Sequence, residues 1–179
     1  MRHKYQTRGI VLSRISAGEA NASVVLLTMD VGLVRARAQG VRRPGAKLAA
    51  ALTTFSESEL MLVQGKEFWR VAGAVLKENW FLRIGNSSAR ARAARICNLL
   101  LRLVAGETRD TLLFPIITEF FELLASLPEE RHEETEIIAA LRILAALGLD
   151  TGEIPKEISN ENRTSCIRRI NRGIEASGL

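Results

Sequence analysis

Apolar and polar residues alternate in short stretches through the first part of the chain, and apolar residues three and four apart dominate the rest. Up to about residue 79, the period of two predicts five strands, at 7–14, 22–29, 33–40, 56–63 and 68–76. The breaks carry turn chemistry, Ala17-Gly18, Asp30-Val31-Gly32, Pro44-Gly45 and Gln64-Gly65-Lys66-Glu67. Each holds a glycine where a positive φ would otherwise be costly. Residues 47–52, Lys-Leu-Ala-Ala-Ala-Leu, read as a short helix between the third and fourth strands. In the third strand, alternation assigns Val34, Ala36 and Ala38 to one face and Leu33, Arg35, Arg37 and Gln39 to the other.

Beyond residue 79 the periodicity predicts helices. Ser87 or Ser88 can cap the first, which runs to about Val104 with Ile96, Leu99, Leu100 and Leu103 as its apolar stripe. The second spans 111–125, with Phe114, Ile117, Phe121 and Leu124 on one side, and Leu127-Pro128 ends it. The third spans 133–147, begins with glutamates that complement the helix dipole, and stops at Gly148. Residues 150–162 read as a polar linker and 163–175 as a last basic helix with Ile167, Ile170 and Ile174 on one side. Five strands with a helix between the third and fourth give the order of an OB-fold, a Greek-key barrel that commonly binds single-stranded nucleic acid. The expected class is therefore α+β, a five-stranded OB-fold barrel followed by a small all-α domain. The expected domains are 1–78, 79–150, and a linker with a C-terminal basic helix over 151–179.

The chain of 179 residues is 47% hydrophobic and 25% charged, enough apolar material for two small cores and too much for disorder. Cys97 and Cys166 alone supply neither a disulfide framework nor a four-thiolate metal site, which points to a reducing, cytoplasmic setting with no metal and no cofactor. Met1 to Arg8 are polar and basic, unlike a signal peptide, and the longest apolar run, 137–149, is broken by Arg142, so no membrane helix is expected. The net charge of +5 is unevenly spread. Residues 1–72 carry eleven Lys/Arg against five Asp/Glu, 73–105 six against one, 106–162 four against thirteen, and 163–179 four against one. A basic first half suits a polyanion and an acidic third quarter repels one.

The cations of the first half fall on one path. Arg35 and Arg37 share the outward parity of the third strand, which leads into Arg42, Arg43 and Lys47 before the short helix. Guanidinium forks beside free helix-terminal amides match phosphate oxygens. Arg14, with Arg8 and Lys4, extends the path from the first strand. Tyr5, Phe55, Phe68 and Trp69 read as core rather than as base platforms. Binding is then led by phosphate contacts, with little sequence preference; five contacts give a salt slope of about −3.5 on single strands. Arg92, Arg95 and Arg102 on the first long helix continue the basic face, meet a partner, or form a solvated stripe. Glu129, Glu130, Glu133, Glu134 and Glu136 read as a solvated loop and helix start.

Enzymatic chemistry is poorly provided for. His3 and His132 are the only imidazoles, near a terminus and in an acidic loop, and His132-Glu133 followed by Glu136 lacks the second histidine of a zinc protease motif. Gly65-Lys66 is no P-loop, because Leu60 stands where its first glycine belongs and Glu67 where its Ser or Thr belongs. Cys97 reads as core, and Cys166, beside arginines that favour a thiolate, has no base partner. No catalytic site and no small-molecule substrate are expected.

Gly9-Ile10-Val11-Leu12, Gly18-Glu19, Thr28, Gly32-Leu33-Val34-Arg35, Gly40-Val41-Arg42-Arg43-Pro44 and Lys47-Leu48-Ala49 follow one another in an order and spacing that resemble the bacterial RecO family of recombination mediators. Phe120-Phe121-Glu122-Leu123-Leu124 and the run from Leu141 to Gly148 look like the helical domain of the same family. The resemblance covers roughly residues 5–150, and its most specific piece runs from Gly32 to Lys47. It implies a non-enzymatic DNA repair and homologous recombination mediator that binds single- and double-stranded DNA and anneals strands. It further implies action with RecR and single-strand binding protein to load recombinase. Many members insert a four-cysteine zinc module after the segment matching Leu147-Gly148; only Cys166 lies beyond it here, so zinc is not carried over. The alternatives are an interaction scaffold of repair complexes with little DNA affinity, and an RNA-binding OB protein, which would prefer RNA through 2′-hydroxyl contacts.

Overall fold

A computed structural model describes residues 3–41, 43, 45–46, 48–104, 106–107 and 110–178. It begins with five strands, β1 (Lys4–Ala17), β2 (Asn21–Thr28), β3 (Gly32–Ala38), β4 (Ser56–Gln64) and β5 (Trp69–Asn79). Helices follow: α1 (Trp80–Arg83), α2 (Ser87–Leu103), α3 (Leu113–Ser126), α4 (His132–Ala146) and α5 (Asn160–Ala176). The order of sheet followed by helices is that of an α+β protein.

The strands run β1-β2-β3-β5-β4, and β4 returns to β1, so the sheet closes on itself. Closure is made possible by the length of β1, which pairs with β4 through its first half and with β2 through its second. Gly9 lies in both ladders, opposite Thr28 on one side and Ser58 on the other. A Cβ there would stand 2.8 Å from Leu60 Cδ1 and 3.2 Å from the Leu27 carbonyl oxygen. Only glycine fits so close an approach. The last pairing, β3 with β5, is parallel and short, matching Ala36 with Trp69 and Arg37 with Arg70. Inward residues of alternating parity, among them Val24, Leu26, Val34, Ala36, Leu62 and Val71, fill the interior with Leu52.

Between β3 and β4 the expected short helix over 47–52 is a single 3-10 turn, Ala50–Leu52, with no side-chain cap; Lys47 lies outside the described residues. Alanines without a capping side chain give the turn little to hold it. It is fixed instead by Ser56 and Ser58, whose buried hydroxyls both donate to the Ala51 carbonyl, at 2.9 and 2.8 Å.

The cap of α2 is Asn86 rather than Ser87 or Ser88: its side-chain oxygen accepts from the Ala89 N–H at 2.7 Å. The apolar side of α2 is built from Ala89, Ala93, Ile96, Cys97 and Leu100, all buried, with Leu99 and Leu103 only half-buried. His132 is a buried first residue of α4, its Nε2 2.9 Å from the Leu127 carbonyl oxygen, and not an acidic-loop residue. At the other end of α4, Gly148 adopts φ 70° and the Leu149 N–H donates back to Leu144, a glycine-terminated stop. The stretch expected as a polar linker buries Ile154 and Ile158 partly against Ile137, Leu141 and Cys166. Ser159 then opens α5 with a reciprocal capping box to Asn162.

The chain divides into two compact units, residues 1–83 with 106–114, and 84–105 with 115–179. Cys97 and Cys166 are free, buried thiols, and burial pushes the Cys97 thiol far up. Among the described residues no helix is long and apolar enough to cross a membrane, and no group of three or more His, Cys, Asp or Glu is placed to hold a metal ion.

Candidate nucleic-acid interface

The outer face of β3 follows from the same alternation that fills the barrel. Val34, Ala36 and Ala38 are buried, while Arg35, Arg37 and Gln39 are exposed. Leu33 departs from the pattern; it is buried although its parity points outward, opposite Leu27 in the ladder. Arg35 stands beside Val25 and Arg37 beside Ser23 on β2, short neighbours that leave both guanidinium groups room to reach solvent.

Arg70, exposed on β5, is the direct partner of Arg37 across the parallel pair. Two like charges side by side repel. Part of that repulsion is offset because the Arg37 guanidinium lies over the Phe68 ring, 3.6 Å from its centre. Among the described residues none of Arg35, Arg37, Arg43 and Arg70 is ion-paired with a carboxylate. Three cations thus project from adjacent positions of two strands into water.

The turn after β3 carries Arg43, which is exposed. Gly40 bends the chain there with φ 67°, receives a hydrogen bond from the Arg43 N–H at 3.1 Å, and donates its own N–H to Asn21 Oδ1 at 3.0 Å. Arg42 and Lys47 lie outside the described residues. The 3-10 turn is too short to present the row of free amides expected of a helix start. Arg14 does not extend the cationic path. Its Nη1 donates to the carbonyl oxygens of Leu52 at 3.2 Å and Ala49 at 3.5 Å, holding the turn onto β1. Arg8 is ion-paired with the buried Glu57.

Sequence reasoning missed Arg70 and misread Phe68. The signal was present in Phe68-Trp69-Arg70-Val71, where Trp69 and Val71 point inward and Phe68 and Arg70 outward. Phe55 and Trp69 are buried as expected, but Tyr5 and Phe68 are exposed, by 36% and 42%. Tyr5 packs edge-on to Trp69, with ring centres 5.2 Å apart. Beside them a cleft of about 340 Å³ is lined by Asp30 and Glu107, the latter accepting the Trp69 indole N–H at 3.1 Å. Its two carboxylates turn that side of the barrel away from polyanions.

In the second unit the arginines of α2 are engaged at home. Arg92 donates to Glu136 at 2.6 Å, and Arg95 grips both oxygens of the same carboxylate at 2.6 and 2.9 Å, which raises the Arg95 pKa further. Arg102 is exposed. Of the glutamates read as a solvated stretch, Glu129 and Glu130 are exposed, whereas Glu133 pairs with Arg163, Glu134 accepts from Arg131 and from the Ile158 N–H, and Glu136 holds the two arginines of α2.

Residues 1–80 match the family described as recombination protein O N terminal. Over 123 residues the chain is 32% identical to the DNA repair protein RecO of Dehalococcoides mccartyi strain 195, an alignment covering 68% of this chain and 48% of that protein. It is 30% identical over 164 residues to the DNA repair protein RecO of Heliobacterium modesticaldum, covering 87% and 58%. It is 39% identical over 80 residues to that of Acaryochloris marina, covering 45% and 27%. The chain spans about half the length of the first two of these relatives.

Proposed function

The chain belongs to the RecO family of DNA repair proteins, and from that membership we propose that it binds DNA through phosphate contacts on the outer face of β3 and the turn that follows. On this reading the closed five-stranded sheet is an OB-fold, the domain type of that family's N-terminal region, and residues 1–78 act as the nucleic-acid-binding domain. The observation that carries the reading is the row of Arg35, Arg37 and Arg70, exposed on two paired strands and free of carboxylate partners among the described residues. Arg43 extends the row, and Arg42 and Lys47, which lie outside the described residues, are proposed as further contacts from their place in the sequence alone. Arg14 contributes by holding the 3-10 turn Ala50–Leu52 onto β1 and not by touching DNA. Single- and double-stranded DNA are both ligands, because the contacts read the backbone and not the bases.

Action in repair and homologous recombination follows for such a protein, with RecR and single-strand binding protein as partners in strand annealing and recombinase loading. No step of bond making or breaking is assigned to any side chain, and no cofactor is required. Arg92 and Arg95 belong to the internal ion pairs of the helical unit, and Arg102, exposed near the end of α2, is a cation open to a partner.

Fluorescence anisotropy with a labelled single-stranded oligonucleotide, titrated across a salt series, tests the proposal. Affinity is expected to fall steeply with salt, and Arg35→Ala, Arg37→Ala and Arg43→Ala to weaken binding alike for all sequences. Affinity untouched by these replacements would mean that DNA is held elsewhere, and no affinity at all would favour an interaction scaffold.

A further inference from the structure

Phe68 is an apolar ring left in water on the cationic side of the barrel. It sits at the end of the tight β4–β5 turn, where its carbonyl oxygen accepts the Gly65 N–H at 3.1 Å. A Cβ on Gly65 would come within 2.5 Å of that oxygen, so only glycine lets the turn close this tightly. The ring is 42% exposed, whereas Trp69, the next residue, is buried. Its neighbours are Arg37, whose guanidinium stacks on it at 3.6 Å, and Arg70, across the strand pair from Arg37.

Burying the rest of Phe68 would have been favourable, yet the fold leaves much of that ring on the surface. What it provides there is a flat π face within a side chain's length of two phosphate-binding cations. A duplex keeps its bases stacked inside and can use only the cations. A single strand offers unstacked bases, which stack on exposed aromatic rings and on guanidinium planes.

We propose that Phe68, with Arg37 stacked on it, is a base-stacking platform that gives this surface a preference for single-stranded over double-stranded DNA. The proposal rests on the phosphate-binding reading of the same face and adds a contact to the bases. Arg37 then has two roles, pairing with a phosphate and extending the π surface, while Arg35 and Arg70 have only the first.

The test measures binding of the full chain to three probes of equal length: an oligo-dT strand, a strand of abasic sites with the same number of phosphates, and a duplex. Phe68→Leu keeps the apolar volume and removes the π face; Phe68→Tyr keeps both. The expected result is that Phe68→Leu weakens oligo-dT binding about ten-fold, leaves abasic and duplex binding within two-fold, and that Phe68→Tyr restores oligo-dT affinity. Equal losses on all three probes would show that Phe68 merely positions Arg37, and no loss on any would show that the ring is idle; either overturns the platform while leaving phosphate binding standing. A native protein that binds none of the three overturns the phosphate reading and the platform together.

Discussion

The Trp80 indole donates to Glu57 Oε2 at 2.7 Å, and both side chains are buried, so the first residue of α1 is tied to the second residue of β4. Arg8 on β1 is ion-paired with the same carboxylate. A carboxylate taken out of water is costly unless its partners are kept. Trp80→Phe keeps an aromatic ring, though a smaller one, and removes the donor, and the lost hydrogen bond together with the small cavity is expected to cost about 1–3 kcal/mol in urea unfolding. An unchanged midpoint would show that water or Arg8 alone satisfies Glu57.

Gly9 is where β1 passes from one partner strand to the other. Gly9→Ala places a methyl 2.8 Å from Leu60 Cδ1 and 3.2 Å from the Leu27 carbonyl oxygen, so the ladder or Leu60 must move. The expected cost is about 1–3 kcal/mol in thermal or urea unfolding. Gly18 provides the contrast, since a Cβ there meets nothing within 4 Å and only the positive φ of 73° is strained. Gly18→Asn, which tolerates that conformation, is expected to be close to neutral.

Acid should weaken the helical unit through Asp150 and Glu133. The Arg169 guanidinium donates to both Asp150 oxygens, at 3.2 and 2.5 Å, and the hydrogen bond holds that carboxyl below its ordinary range; Arg163 does the same for Glu133. A folded-state pKa below the unfolded one means stability that is present above the unfolded value, about 4, and is lost as pH falls through the folded value. Thermal melts of the native chain are expected to decline between about pH 5 and pH 2, and Asp150→Asn to flatten part of that decline. A decline identical in the two proteins would exclude this pair as a source.

Glu136 gathers Arg92 and Arg95, 44 and 41 residues away in sequence, onto one carboxylate. Arg92→Ala with Arg95→Ala is therefore expected to lower the stability of the chain and to leave DNA affinity and its salt dependence unchanged. A loss of DNA affinity without loss of stability would move these two arginines onto the binding surface.

How far the sequence reveals this depends on the range of each interaction. The third strand reads correctly from alternation, because Val34, Ala36 and Ala38 must face the interior if Arg35 and Arg37 face water. All five strands are present, with β1 longer than its apolar run suggests, since its ends are held by pairing to β2 and β4. Asn86, Ser87 and Ser88 are all good caps, and local chemistry does not choose among three in a row. The ion pairs of Glu133 and Glu136 and the meeting of Arg37 with Arg70 are made between distant segments, which periodicity does not register. Phe68 was legible by parity, but an aromatic residue carries a strong expectation of burial, and parity lost to it.

The salt dependence of single-strand binding bears most directly on the outer face of β3. Each phosphate contact contributes about 0.7 to the slope of log affinity against log salt on single strands. Replacing Arg35, Arg37 and Arg70 together by alanine is expected to make that slope shallower by about 2 while the protein stays folded. A slope identical to that of the native chain would contradict the assignment of DNA to this surface.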